Sequence, residues 1–178
     1  MRLIRMLGLC FAMIGVVAVH AEKNVNERVK APKDGEVEIE NVAGSVHVEG
    51  WSENAVQVTG TIGDNLELRL QNNVRRTTVL VKYPESRDTR HQHAQITVRV
   101  PVASEVGIEA VSADVVVRSL SGGLQVESVS GGVELDIQSQ DVDVESVSGD
   151  ILLVGKKVEV QAEAVSGDVE IRIEEGNI

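Results

Sequence analysis

The chain of 178 residues has few aromatic side chains and a single cysteine. Aromatic residues make up only 2% of the sequence, which excludes a stacking platform for bases or sugars, because such platforms need several rings. Acidic residues outnumber basic ones by 28 to 17, and the net charge of −11 argues against nucleic acid as a partner. The cysteine, Cys10, lies in a segment that we expect to be removed, so the remaining chain has no disulfide and no thiolate metal site.

The first 21 residues are typical of a secretory signal peptide. Arg2 and Arg5 precede an apolar run over residues 7–19, which is too short to span a bilayer with margin. The small residue Ala21 then provides a cleavage site before Glu22. We therefore predict an exported protein, in the periplasm or at the cell surface, with no membrane span after cleavage. The alternative is an anchor that stays uncut.

An 18-residue repeat occupies the C-terminal part of the chain. Its serines recur at a constant step, and they are followed by glycine and aspartate in most copies. Because glycine supplies positive φ and serine or aspartate bonds the local backbone, we interpret these positions as structural turns rather than as nucleophiles or calcium ligands. The predicted turn residues are Ser112, Asp114, Ser130, Gly131, Ser148, Gly149, Asp150, Ser166, Gly167 and Asp168.

Short strands with one buried face follow the turns. Val133, Leu135 and Ile137, for example, alternate with Glu134 and Asp136. Two all-β architectures fit such units: a β-solenoid, single-stranded and β-helix-like, with 18-residue coils, or an antiparallel β meander of nine-residue strands. The solenoid is favoured because stacking requires like positions to recur at the full 18-residue step, which is kept better than the nine-residue step.

The rest of the chain is less regular. We predict a flexible N-terminal segment over residues 22–34 and a β-repeat domain over 35–178. Within that domain, irregular strands are expected over 35–101 and the regular 18-residue repeats over 102–178. The last part contains four basic and sixteen acidic side chains, so the acidity of the protein belongs to the repeats.

Three pieces of the sequence resemble the bacterial putative-adhesin family, an exported β-strand-repeat domain of unknown function. They are the stretch NVAGSVHVEGW over residues 41–51, the strand end VRVP over 98–101, and the Val-Ser-Gly-Asp repeats. The resemblance covers roughly residues 35 to 175. It implies an exported or envelope-associated all-β repeat protein and does not imply an enzyme, and it carries no catalytic or binding residues over to this chain.

Glu109, Glu127, Glu145 and Glu163 share one repeat position and form a candidate acidic interaction face. In a solenoid they would stack about 4.8 Å apart, which is mutually destabilising for like charges. One interpretation is a solvated outer face that keeps the protein soluble. The other is a strip for divalent cations or basic partners.

The function predicted from these features is that of a non-catalytic exported cell-envelope protein, an adhesin or interaction module that uses the outer face of the solenoid. Its partner is an unknown envelope or surface component, and we expect no cofactor, no metal and no nucleic acid. The alternatives are a periplasmic scaffold or envelope-stress protein and a cation-binding repeat module. A polysaccharide-cleaving enzyme is disfavoured, because it needs paired acids in a cleft and usually aromatic subsites.

The C-terminal end raises a separate question. Ile178 comes soon after a repeat copy with no evident cap, and solenoid ends are usually capped to block edge pairing. Either the natural protein is longer, or this end pairs with another chain in end-to-end self-association.

Overall fold

The computed structural model describes residues 22–84, 92–138, 141–156 and 159–174. Among these residues, β-strands are the only regular secondary structure. None of these residues forms a helix that is long and apolar enough to cross a membrane. The predicted signal peptide lies outside the described residues. The strands are β1 Glu22–Lys30, β2 Glu36–Trp51, β3 Ala55–Gly63, β4 Glu67–Asn73, β5 Arg76–Lys82, β6 Ala94–Pro101, β7 Glu105–Arg118, β8 Leu124–Ser130, β9 Val133–Ile137, β10 Asp141–Ser148, β11 Ile151–Lys156, β12 Glu159–Ser166 and β13 Val169–Glu174.

The repeats pair in parallel at the predicted 18-residue offset. Glu109 pairs with Glu127, Glu127 with Glu145, and Glu145 with Glu163. Val133 likewise pairs with Ile151 in the strands that follow the turns. From β7 to β13, therefore, each 18-residue unit lies directly on the next, and the antiparallel meander is not the arrangement of these residues.

The N-terminal half departs from a uniform solenoid. β1 pairs with β3, β3 with β6, and β4 with β5, all antiparallel. The complete sheet is therefore mixed, whereas the sequence had predicted a solenoid. For β4 and β5 the physical reason is local: the two-residue connection after Asn73 permits only an antiparallel hairpin, whereas parallel neighbours need a longer return path.

Two long strands, β2 and β7, join two runs of strands. Their first halves belong to the run β4-β5-β2-β7-β8-β10-β12, which we call the first run. Their second halves belong to the run β1-β3-β6-β2-β7-β9-β11-β13, the second run. Inward side chains from both runs form one hydrophobic core, in which Ile39, Ile108 and Leu135 are at most 2% exposed.

The segment expected to be flexible contains an ordered strand. β1 pairs with β3 along its whole length, from Glu22 opposite Gly63 to Lys30 opposite Ala55. Val25 and Val29 pack against the core, which offsets the entropy lost on ordering this polar segment. The other side chains of β1 are exposed and largely polar or charged, a composition that protects an edge strand from further pairing.

Candidate functional site

Two of the three predicted turn aspartates bond one repeat to the next. Oδ1 of Asp114 accepts a hydrogen bond from the backbone N–H of Gly132 at 3.0 Å, and Oδ1 of Asp150 accepts one from the N–H of Asp168 at 3.0 Å. In both cases donor and acceptor are 18 residues apart, so each carboxylate satisfies a backbone donor in the adjacent turn. Among the described residues, no group of three or more His, Cys, Asp or Glu side chains is placed to hold a metal ion.

The predicted turn serines and glycines stack in columns. Ser112, Ser130, Ser148 and Ser166 pair in register and are exposed to solvent. Glycine is required beside them because the backbones approach closely. At Gly149, where φ is +154°, a Cβ atom would lie 2.1 Å from the carbonyl oxygen of Gly131.

The predicted acidic positions form a continuous column that is longer than expected. Glu40 of β2 pairs with Glu109, which places a fifth carboxylate in line with the four repeat glutamates. All five residues are exposed. We call this set the Glu column: Glu40, Glu109, Glu127, Glu145 and Glu163.

A column of exposed valines runs beside the Glu column, two residues further along each strand. The side chains of Val42, Val111, Val129 and Val147 are 43 to 50% exposed, and Val165 is 78% exposed. These five residues are called the Val column. The two columns border a groove of about 450 Å³ that crosses the strands, with a carboxylate wall on one side and an isopropyl wall on the other.

On the inner side of the strands beneath the groove, two buried hydroxyls have no partner among the described residues. The residue between glutamate and valine points inward in every unit, and it is serine at Ser128 and Ser146, which are 4% and 3% exposed. Neither Oγ atom has a hydrogen-bond partner among the described residues. The equivalent residue Ala110 has no such group to satisfy.

In β2, the equivalent inward position between glutamate and valine is occupied by an asparagine that is hydrogen-bonded. Asn41 is 2% exposed, and its Oδ1 accepts a hydrogen bond from the Tyr83 hydroxyl at 2.8 Å, while its Nδ2 donates to the carbonyl of Ala43 at 3.3 Å. The Tyr83 hydroxyl also accepts a hydrogen bond from the backbone N–H of Ala43 at 3.1 Å. Burial raises the pKa of Tyr83 above its usual value. A polar residue at this inward position is thus hydrogen-bonded in β2 and without a partner in β8 and β10.

Acidic side chains also cover the outer surface of the first run next to the Glu column. A depression of about 790 Å³ lies in this surface over Gly107, where a Cβ atom would meet nothing within 4 Å. Arg76 of β5 flanks the surface and forms ion pairs with Glu36 at 2.8 Å and Glu38 at 3.1 Å. We call this surface the acidic face; it comprises the Glu column with Glu36, Glu38, Glu105, Asp141, Asp143 and Glu159.

Trp51 lies at the end of β2, away from the groove. Its Nε1–H donates to the carbonyl of Ala55 at 2.8 Å, and the guanidinium groups of Arg28 and Arg99 lie 5.1 and 5.9 Å from its ring centroid. Arg28 also pairs with Glu53. With its ring and its donor engaged, the tryptophan serves a structural role in these contacts.

The C-terminal strand leaves apolar side chains uncovered. Val169, Ile171 and Ile173 of β13 are 41 to 49% exposed, whereas Leu153, one repeat earlier, is 0% exposed. Their positions match the core positions of β9 and β11. The predicted end-to-end self-association would cover this surface, and it remains a prediction.

The groove contains residues that the sequence reasoning missed. The repeat unit was aligned correctly, but its exposed valine was not assigned to any site, because valine in a strand ordinarily indicates a core position. The signal was available: since side chains alternate along a strand, a valine two residues after an exposed glutamate faces the same way. The orphaned hydroxyls had no sequence signal of their own.

One solved structure shares the fold of this chain with a TM-score above 0.5, and others match with lower scores. The chain is similar in structure to a putative cell adhesion protein of Clostridium sporogenes, at 13% identity with a TM-score of 0.56 over 85% of this chain and 100% of that one. A putative adhesin of Bacteroides fragilis matches at 11% identity with a TM-score of 0.36, over 85% and 94% of the two chains. A putative lipid binding protein of Parabacteroides distasonis matches at 12% identity with a TM-score of 0.29, over 85% and 97%.

No curated protein matches the sequence. A family model does match, over residues 28–178, and it confirms the resemblance predicted from the repeats. The chain belongs to the Toastrack DUF4097 family.

Proposed function

We propose that this protein is a non-catalytic, exported interaction module of the cell envelope, and that it binds a basic partner through the acidic face of a β-solenoid-like stack. The observation that carries the proposal is the Glu column, in which five exposed carboxylates of one sign repeat at the strand spacing. Such a surface creates a concentrated negative potential that attracts cationic partners and repels anionic ones.

The energetic cost of this arrangement supports a binding role. Like charges directly opposite each other on neighbouring strands destabilise a sheet. Alternating or neutral side chains would keep the surface soluble without that repulsion, as Gln125 does in the neighbouring column. A basic partner would relieve the repulsion on binding, so the face gains stability in the complex.

A direct binding measurement tests the proposal. Fluorescently labelled poly-lysine is titrated with the purified protein, and binding is followed by anisotropy at several salt concentrations. We expect saturable binding that weakens with salt, and Glu127→Gln with Glu145→Gln should reduce it about tenfold. The matched control is Glu134→Gln with Glu170→Gln, which removes two carboxylates from the second run. Equal losses in both variants would show only a dependence on net charge and would refute a role for the acidic face.

The location of the protein is tested separately. Intact cells are treated with a protease, with a known periplasmic protein as control. Digestion in intact cells would support the adhesin or surface module. Protection until the envelope is broken would instead support the periplasmic scaffold or envelope-stress protein.

A further inference from the structure

We infer that the groove binds one basic amphipathic α-helix of a partner protein or peptide, with the helix axis crossing the strands. This inference rests on the proposed function, because it assigns a ligand class to part of the acidic face. It adds a second requirement, namely an apolar stripe beside the basic one. That requirement comes from the Val column, which a purely electrostatic surface would not need.

The two walls of the groove present different chemistry at the same spacing. Along each strand, the glutamate and the valine are two residues apart, or about 6.7 Å. Across the strands, each type of side chain recurs about every 4.8 Å. A partner that crosses the strands therefore meets a line of carboxylates and a parallel line of isopropyl groups. It must be basic along one stripe and apolar along the neighbouring stripe.

The spacing of the columns selects a helix over an extended peptide. Five glutamates span four steps, or about 19 Å. On an α-helix, five residues of one stripe at i, i+4, i+7, i+11 and i+14 span about 21 Å, a difference that flexible Lys and Arg side chains absorb. Five same-side residues of a β-strand span about 27 Å and would lose register with the carboxylates. A helix of about 15 residues therefore fills the groove.

The negative charge of the groove argues against an anionic membrane as its binding partner. An anionic membrane would bring its headgroups against the carboxylates of the Glu column, which like-charge repulsion opposes. The partially exposed valines then provide contact area for a partner that is itself cationic. Electrostatic attraction orients this partner, and burial of the valines adds specificity for its apolar stripe.

Three labelled peptides test the inference by fluorescence anisotropy. The first, of about 15 residues, carries Lys at i, i+4, i+7, i+11 and i+14 with Leu along the adjacent stripe. The second has the same composition with Lys and Leu alternating, as in a β-strand. The third keeps the helical Lys pattern and replaces Leu by Ala. We expect the first peptide to bind about tenfold more tightly than either of the others and to gain helical circular dichroism on binding.

Variants of the protein locate the site. Val129→Ser with Val147→Ser should lower the affinity for the first peptide about tenfold. The affinity for the third peptide should stay unchanged, because only the first peptide contacts the apolar wall. Since both valines are about half exposed, these variants should fold, which thermal unfolding verifies. Ser128→Ala with Ser146→Ala is a control, because these side chains point inward; it should leave the affinity for the first peptide unchanged.

The outcomes separate the two proposals. If all three peptides bind equally and the Glu127→Gln, Glu145→Gln variant weakens all of them, the acidic face is a binding surface but the helix inference is wrong. If no peptide binds, and poly-lysine does not bind either, both proposals fail. If the first peptide binds but the valine variants do not affect it, the site lies elsewhere and the inference is overturned. Tighter binding to anionic phosphatidylglycerol vesicles than to the first peptide would also overturn it.

Discussion

Two glycines of the stacked repeats offer a pair of substitutions with opposite expected effects. Gly149→Ala should destabilise the protein strongly, whereas Gly107→Ala should leave it unchanged or slightly more stable. Both positions lie within the stacked repeats and both changes add one methyl group. The difference is the space available: a Cβ atom at position 149 would lie 2.1 Å from the carbonyl oxygen of Gly131, while one at position 107 meets nothing within 4 Å.

The magnitude follows from the geometry at position 149. Ordinary contact begins at about 3.4 Å, so the neighbouring backbone must withdraw by about 1.3 Å, which breaks local ladder hydrogen bonds. The positive φ of +154° adds about 1–2 kcal/mol of strain for an L-residue, and each lost hydrogen bond adds about 1 kcal/mol. We expect a loss of about 3 kcal/mol in the free energy of unfolding for Gly149→Ala. For Gly107→Ala we expect a gain of about 0.5 kcal/mol, since alanine restricts the unfolded chain.

Urea and thermal unfolding of the two variants and the wild type, followed by circular dichroism, measure the difference. For a chain of this length about 3 kcal/mol corresponds to a fall of roughly 10 °C in Tm, against a rise of about 2 °C for Gly107→Ala. Parallel urea slopes would indicate that the native fold is kept in each protein. If the two variants melt within about 2 °C of each other, the turn backbones are not stacked as closely as the structure shows.

Four further predictions follow from the site. Ser128→Ala with Ser146→Ala should raise the free energy of unfolding by about 1 kcal/mol per site in urea titrations, because alanine already occupies the same inward position at Ala110. A loss of stability would show that the two hydroxyls are hydrogen-bonded. Raising NaCl from about 0.05 to 0.5 M should raise the Tm by screening the Glu column, and a variant with that column neutralised should lose this response. Burial raises the pKa of Tyr83 in the folded state above its ordinary value of 10.0. The neutral phenol therefore contributes its full stabilisation below pH 10.0, and this stabilisation should be lost as the pH rises through the raised pKa of the folded state. Tyr83→Phe should remove this loss from the free energy of unfolding measured against pH. Finally, sedimentation equilibrium should show self-association that Ile171→Glu abolishes, and a wild type that is monomeric at every concentration would exclude it.

The 18-residue step favoured the parallel pairing that the repeats adopt. Because glutamate, serine and glycine recur at that interval, each unit can place its equivalent residues beside those of the next only by parallel pairing in register. The all-β class and the alternation of core and surface in β9 and β10 followed from the same pattern. The family resemblance rested on these residues as well, and the family match confirms it.

The N-terminal half could not be predicted in this way. β2 precedes β3 to β6 in the chain, yet in the sheet it lies between β5 and β6 on one side and β7 on the other. No repeat connects these segments, and their contacts are long-range, so nothing in the local pattern indicates which strands become neighbours. The segment 22–30 likewise contains mostly polar residues, and its order depends on the edge that β3 provides.

The sequence by itself determined the strands of the repeats, the step between repeats and the sign of the charge, because these depend on residue types and on their intervals. Only the tertiary structure decided that Glu40 extends the column of repeat glutamates, that the valines beside it are exposed, and that Ser128 and Ser146 are buried without partners. Each of these facts depends on atoms that come together from residues far apart in the chain. A groove exists only once the strands are stacked, since its walls are built from one residue of each strand.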